Sequence, residues 1–250
     1  AVGMSALRYG TAGSNNAALG GGALQNNTAS NNTAVGYQSL NANTSGTSNV
    51  AIGGNALDAN TTGSSSTAVG FNSLSANTTG NNTAVGKDSL KANTTGSANT
   101  AVGSGSLDSN TTASYNTALG NASLKNNTSG SQNTAVGHDA LNDNTQGDFN
   151  VAMGSNALAK NTTGDNNTGL GTAALLNNTT ADNNTAVGKD SLKANTTGSE
   201  NVAVGSLTLD ANTTASFNTA VGHRTLSANI TGTPNTAIGG DAMRENTTGG

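Results

Sequence analysis

His138 and His223 are the side chains best suited to acid–base or metal chemistry in this 250-residue chain. They stand 85 residues apart, in the pairs "HD" and "HR". A metal ion needs roughly three or four converging ligands, and neither histidine has them nearby in sequence. Both read as solvated turn residues. Lys87–Asp88 and Lys189–Asp190 read as surface ion pairs of little energetic weight. No carboxylate pair, nucleophile–base set or G-x-G-x-x-G phosphate cradle stands out. The sequence predicts no catalytic residue, no metal site and no cofactor, hence no enzyme.

Residues suited to binding are more numerous. Tyr37 and Phe71 occupy one slot two repeats apart, while Tyr115, Phe149 and Phe217 share another. Outward aromatic rows of this kind are candidate surface contacts for sugars or partner fibres. Asn43, Asn60, Asn77 and Asn93 begin triplets that match the glycosylation sequon. Thr44, Thr61, Thr78 and Thr94 form a regular hydroxyl row, as in β-solenoids that bind ice, although Asn and Gly flank them instead of a T-x-T strand.

What must position these residues is a repeat that runs from end to end. "NTAVGKDSLKANTTGS" occurs at 82–97 and again at 184–199. The glycine that closes "A-V-G" recurs at Gly3, Gly20, Gly36, Gly53, Gly70, Gly86, Gly103, Gly120, Gly137, Gly154, Gly171, Gly188, Gly205, Gly222 and Gly239. The gaps are 17 residues, except for 16 between Gly20 and Gly36 and between Gly70 and Gly86. We take these glycines as structural corners. The slot keeps Gly in every copy, so it requires positive φ or has no room for a Cβ. The glycine of N-T-T-G becomes Ala at Ala113, Ala181 and Ala215, which predicts a slot that is not left-handed.

Asn, Thr and Gly in nearly every turn oppose a helix. Short strands between Gly and Asn corners fit instead. The expected fold is all-β, a parallel β-solenoid with one coil per 17 residues. It forms one repeat domain over 1–250 of about fifteen coils. Stacking would place each Val on the next Val and each Leu on the next Leu, so Val85, Leu90, Val102, Leu107, Val136 and Leu141 are the expected core. One Asn row runs through Asn43, Asn60, Asn77, Asn93, Asn110, Asn127, Asn144 and Asn161. A second runs through Asn49, Asn82, Asn99, Asn116 and Asn133, with Ser66 as an exception. Such rows suit hydrogen-bonded ladders or left-handed corners.

Composition bounds the partners. Charged residues make up 9% and aromatics 2%, and Pro234 is the single proline. Disordered chains are usually rich in charge or proline, so this composition argues against disorder. A net charge of −4 supplies no basic stripe for nucleic acid. There is no cysteine, and no apolar run approaches the roughly 18 residues of a membrane span. Charges occupy the variable slots and never the N-T-A-V-G strand. That strand needs covering on both faces, once by the coil interior and once by a partner. Self-association follows, along the strand face or as an end-to-end filament; the homotrimer is what the family resemblance given below implies. The chain opens at A-V-G and closes at N-T-T-G-G without a polar cap, which predicts a piece of a longer fibre or a stacking subunit.

The phrase N-T-A-V-G-x-x-S-L, with the variants "NVAIGGNAL" and "NVAMGSNAL", resembles the repeats of YadA-like head domains in trimeric autotransporter adhesins. Similar repeats occur in some phage tail fibres. The resemblance spans essentially the whole chain and rests on positions such as Asn82, Ala84, Val85 and Gly86. The N-T-T-G segment is not typical of that family. The resemblance implies a left-handed parallel β-roll, three chains around one axis, an extracellular or phage-particle location, and attachment to a host-surface or matrix ligand. The expected function is a structural and adhesive segment of an extracellular fibre. The alternatives are a self-assembling filament subunit and an ice- or glycan-binding solenoid.

Overall fold

Each copy of T-A-V, or its variant, forms a three-residue strand, and the following G-x-x-S-L segment turns away from it. The computed structural model describes residues 1–10 and 13–249. Contacts divide the chain into two units, Ala1–Ser129 and Gly130–Gly250. Each unit is a parallel β-solenoid without helices among the described residues.

The first unit holds β1 (Ala17–Leu19), β2 (Thr33–Val35), β3 (Val50–Ile52), β4 (Thr67–Val69), β5 (Thr83–Val85), β6 (Thr100–Val102) and β7 (Thr117–Leu119). The second holds β8 (Thr134–Val136), β9 (Val151–Met153), β10 (Thr168–Leu170), β11 (Thr185–Val187), β12 (Val202–Val204), β13 (Thr219–Val221) and β14 (Thr236–Ile238). Within each unit every strand pairs in parallel with the next and in strict register. Thr83 lies beside Thr100, Ala84 beside Ala101 and Val85 beside Val102. Gly169 beside Ala186 keeps the same rule in the second unit.

The core corrects half of the expected set. Leu90, Leu107 and Leu141 are fully buried, as expected. Val85, Val102 and Val136 are not in the core; they lie half-buried on the outer face of the sheet. Strand side chains alternate between faces, and here Ala84, Ala101 and Ala135 take the inner positions. The reason is the width of the coil. Its interior holds one Leu per level, with Ala, Ser and Asn filling the remainder, so a second large side chain has no space there.

The buried Leu adopts an unexpected backbone. Leu90 has φ 49°, and Asp88 and Ala98 have φ 55° and 56°. Equivalent residues repeat these values along both units. A left-handed non-glycine residue costs roughly 1–2 kcal/mol, whereas burying a Leu side chain contributes about 1.5–3 kcal/mol. The conformation also directs hydrogen bonds in alternation. Leu90 N–H donates to Ser106 O of the next coil at 3.0 Å, and Asp88 N–H donates to Phe71 O of the previous coil at 2.9 Å. The turn is thereby part of the ladder.

The corner glycines meet both conditions expected of them. From Gly36 to Gly239 their φ values lie between 119° and 141°. At Gly103 a Cβ would also collide with the carbonyl of Gly120 in the next coil. The second glycine slot has ordinary φ but is no roomier, since a Cβ at Gly96 would meet the carbonyl of Ala113 and the side chain of Asn93.

Candidate functional site

The residues most suggestive of chemistry are dispersed at the surface. His138 Nδ1 lies 3.0 Å from Asp139 Oδ2, with both side chains solvent-facing, and His223 is exposed. Among the described residues no three His, Cys, Asp or Glu side chains group to hold a metal. Asp88 lies 3.6 Å from Lys87 and 3.9 Å from Lys91, and Asp190 lies 3.7 Å from Lys189 and 3.1 Å from Lys193. The i+3 lysines complete pairs that the sequence suggested only in part.

The sequon asparagines are interior. Asn43, Asn60, Asn77 and Asn93 are fully buried, so none can carry a glycan in the folded chain. Asn93 Nδ2 donates to Asn77 Oδ1 below it at 2.7 Å and to Gly96 O in its own turn at 2.9 Å. Asn110 repeats this on Asn93 at 2.8 Å. The second row uses the other end of the side chain. Asn82 Oδ1 accepts the backbone N–H of Asn99 at 3.0 Å, while its Nδ2 donates to Gly96 O at 2.8 Å.

The ladder breaks at one level in the first unit. The coil from Gly70 to Gly86 is one residue short, and the loss falls between Asn77 and Asn82. Asn77 there donates to Thr79 O and its Oδ1 also accepts from Asn82. Asn60 Oδ1 is left buried without a partner. Ser66 stands in the same region, and its Oγ reaches Asn82 N only at 3.4 Å.

A further ladder escaped the sequence reading. In the second unit Asp148, Asp165 and Asp182 stack in successive coils. Asp148 Oδ1 accepts Ser131 N–H at 2.6 Å, Asp165 Oδ1 accepts Asp148 N–H at 2.7 Å, and Asp182 Oδ1 accepts Asp165 N–H at 2.7 Å. Serine does the same elsewhere, as Ser114 Oγ does for Ser97 N–H at 3.0 Å. The available signal was Ser or Asp recurring just after the second glycine slot.

The hydroxyls of the N-T-T row are also occupied. Thr44 Oγ1 donates to Thr61 O at 3.0 Å, and Thr78 and Thr94 repeat the bond at 2.9 Å. These hydroxyls are spent on the coil, not presented as a free array.

The regular outward surface is the strand face. In the first unit Thr33, Thr67, Thr83 and Thr100 form one column beside Val35, Ile52, Val69, Val85 and Val102, with Leu19 and Leu119 in line. Leu19 is 50% and Leu119 47% exposed. The second unit repeats the columns through Thr134, Thr168 and Thr185 and through Val136, Met153, Leu170 and Val187. No charged residue interrupts the strand columns of either unit. No protein-family model, curated protein or solved structure matches this chain.

Three carboxylates on the turn side are perturbed. Burial raises Asp58, Asp108 and Asp210 above the ordinary 3.8. Backbone hydrogen bonds partly oppose this at Asp58, and Lys91 and Lys125 oppose it at Asp108. Asp58 Oδ1 and Asp210 Oδ1 are buried without a hydrogen-bond partner. Asp210 shares a shallow hollow with Arg224, Ser227, Arg244 and Glu245.

The aromatic residues lie outside, as the sequence suggested. Tyr37 and Phe71 are in the slot after the corner glycine. Tyr115, Phe149 and Phe217 take the left-handed slot before the buried Asn of the strand, with φ of 62°, 58° and 60°.

Proposed function

We propose that this chain is a structural and adhesive segment of an extracellular fibre, in which copies of the chain pack together through their Thr/Val strand faces. The observation that carries the reading is the uncharged pair of outer columns, half-exposed on every strand and unbroken within each unit. An uncharged face that long, with an unbroken apolar column beside the Thr column, marks an interaction surface. The charged residues occupy the turns, away from it. The interior supports the same role, since nearly every polar group in it is spent on holding one coil to the next. The repeat resembles trimeric adhesin heads, which favours three copies around an axis and a location outside the cell or on a phage particle.

Sedimentation equilibrium tests the reading. The wild type is expected at three times the mass of one chain. Val85→Asp, on the outer face of β5, is expected to lower that mass. Lys87→Asp, on the turn, is expected to leave it unchanged. A wild-type protein that sediments as a single chain at micromolar concentration would overturn the proposal.

A further inference from the structure

The charge in this chain is unevenly placed. Of its 9 basic and 13 acidic residues, only Arg8 and Asp58 precede Lys87. Arg8 is turned onto Tyr9, its guanidinium carbon 5.3 Å from the ring centre. Asp58 has its Oδ1 buried. The turn side of the first coils therefore carries little charge, Arg8 and Asp58 alone, unlike the Lys- and Asp-bearing turns that follow from Lys87.

On that surface glycine and aromatic residues alternate in one column: Met4, Gly21, Tyr37, Gly54, Phe71. Each ring leans over the glycine of the preceding coil. A Cβ at Gly21 would lie 3.7 Å from Tyr37 Cδ2, and one at Gly54 would lie 3.4 Å from Phe71 Cδ2. The rings thus lie along the surface, and they remain 63% and 51% exposed. Beside Tyr37 is a shallow hollow of about 160 Å³, lined by Met4, Ser5, Gly21, Gln25 and Gln38. Asn41 borders it, with Nδ2 3.1 Å from Gln25 Oε1 and 2.8 Å from Gly22 O. Near Phe71 the neighbouring column continues as Asn55 and Asn72, joined by a side-chain bond of 3.3 Å.

We propose that this face binds an extended neutral polysaccharide, with Tyr37 and Phe71 as two stacking platforms. The apolar face of a pyranose packs on an aromatic ring, and its hydroxyls donate and accept. Amide side chains match them because each offers both donors and an acceptor. Asp58, on the coil between the two rings, disfavours acidic sugars, and Lys87, next after Phe71 in the column, is paired with Asp88 at 3.6 Å, so uncharged sugars are favoured over acidic ones. The two rings are two coils apart, roughly 9–10 Å at the spacing of paired strands. In an extended β-1,4-linked chain, alternate sugars present the same face, and this separation is close to one disaccharide unit. Each platform therefore meets an equivalent sugar. The inference gives the attachment role proposed above a ligand class, but it depends only on the coils before Lys87 and does not require assembly.

Titration calorimetry with cellohexaose and chitohexaose tests it. At least one hexaose is expected to bind, more tightly than its disaccharide, because only the longer chain spans both rings. Tyr37→Ala and Phe71→Ala are each expected to weaken binding roughly tenfold, with unchanged circular dichroism melts. Tyr115→Ala, in the other aromatic column, is expected to leave it unaltered, and polygalacturonate is expected to bind no better than the neutral hexaoses. Absence of binding to both hexaoses, or affinity retained by the Tyr37→Ala/Phe71→Ala double variant, would overturn the proposal. Sedimentation of the same samples reports assembly separately, so failure of the glycan site and failure of the fibre are read apart.

Discussion

Asn82 and Asn93 donate to one carbonyl oxygen, that of Gly96, at 2.8 and 2.9 Å. Coils throughout the chain repeat the arrangement; Asn167 and Asn178 do the same on Ala181 O at 2.7 and 3.0 Å. The two asparagine rows are therefore joined at every such turn through a backbone acceptor whose two lone pairs are both used. A buried amide left unbonded costs about 1–3 kcal/mol, so this double use is what permits so many buried asparagines. It also explains why the second glycine slot varies to Ala without harm to the ladder. The slot supplies a carbonyl that Ala provides as well as Gly, although a Cβ there crowds the carbonyl of the next coil.

The broken level near Ser66 offers a direct test. Asn16 precedes the other short coil, and it donates to Ala29 O at 2.8 Å while accepting Asn32 N–H at 2.9 Å. Ser66→Asn is expected to recreate both bonds, with Thr79 O and Asn82 N as partners. The gain should be about 1 kcal/mol, read as a higher Tm. A lower Tm would show that the short coil leaves no space for the amide.

The two glycine slots differ in what an alanine must overcome. Gly188→Ala places a Cβ at φ 133° and against the carbonyl of Gly205, which should cost at least about 2 kcal/mol. Gly147→Ala meets a close carbonyl at ordinary φ, a strain that the chain accommodates at Ala181 and Ala215. In the second unit these alanines alternate with Gly164, Gly198 and Gly232 and never stack directly. Denaturant unfolding should rank Gly147→Ala as mildest, Gly198→Ala (which would stack on Ala181 and Ala215) as intermediate, and Gly188→Ala as worst.

The carboxyl of Asp58 is raised because burial penalises its charge. The folded chain then holds a proton that the unfolded chain has released, in the window just above 3.8. Stability falls as pH rises through that window and stays lower at neutral pH. Asp58→Asn removes this dependence and supplies a donor, as Asn41 does toward Gly22 O at 2.8 Å. The expected gain is about 1 kcal/mol at neutral pH and less below the window. Melting curves of the two proteins across pH check it; an equal gain at every pH would refute the assignment to charge burial.

Much of this architecture was legible because its signals are local. The invariant Gly, the Leu four residues after it and the Asn rows recur at a spacing that only stacked coils explain. Placing the charges in the turns was equally direct, since the strand phrase excludes them. The sites were less legible. The pairing of Lys91 with Asp88 depends on a turn that brings position i+3 back, and the stacked aspartates depend on which backbone N–H groups the coil leaves for side chains.

What the sequence determined by itself was the coil length, the parallel register and the corner glycines, because each depends on repetition and on backbone sterics that one residue type satisfies. Which apolar slot fills the interior was decided only by the tertiary structure. Val85 and Leu90 are equally hydrophobic to a sequence reader. The coil admits one large side chain per level, and strand alternation hands the inner strand position to Ala84. Leu90 reaches the core only by adopting a left-handed backbone at φ 49°. That conformation is affordable where burial and a hydrogen bond to the next coil reward it together.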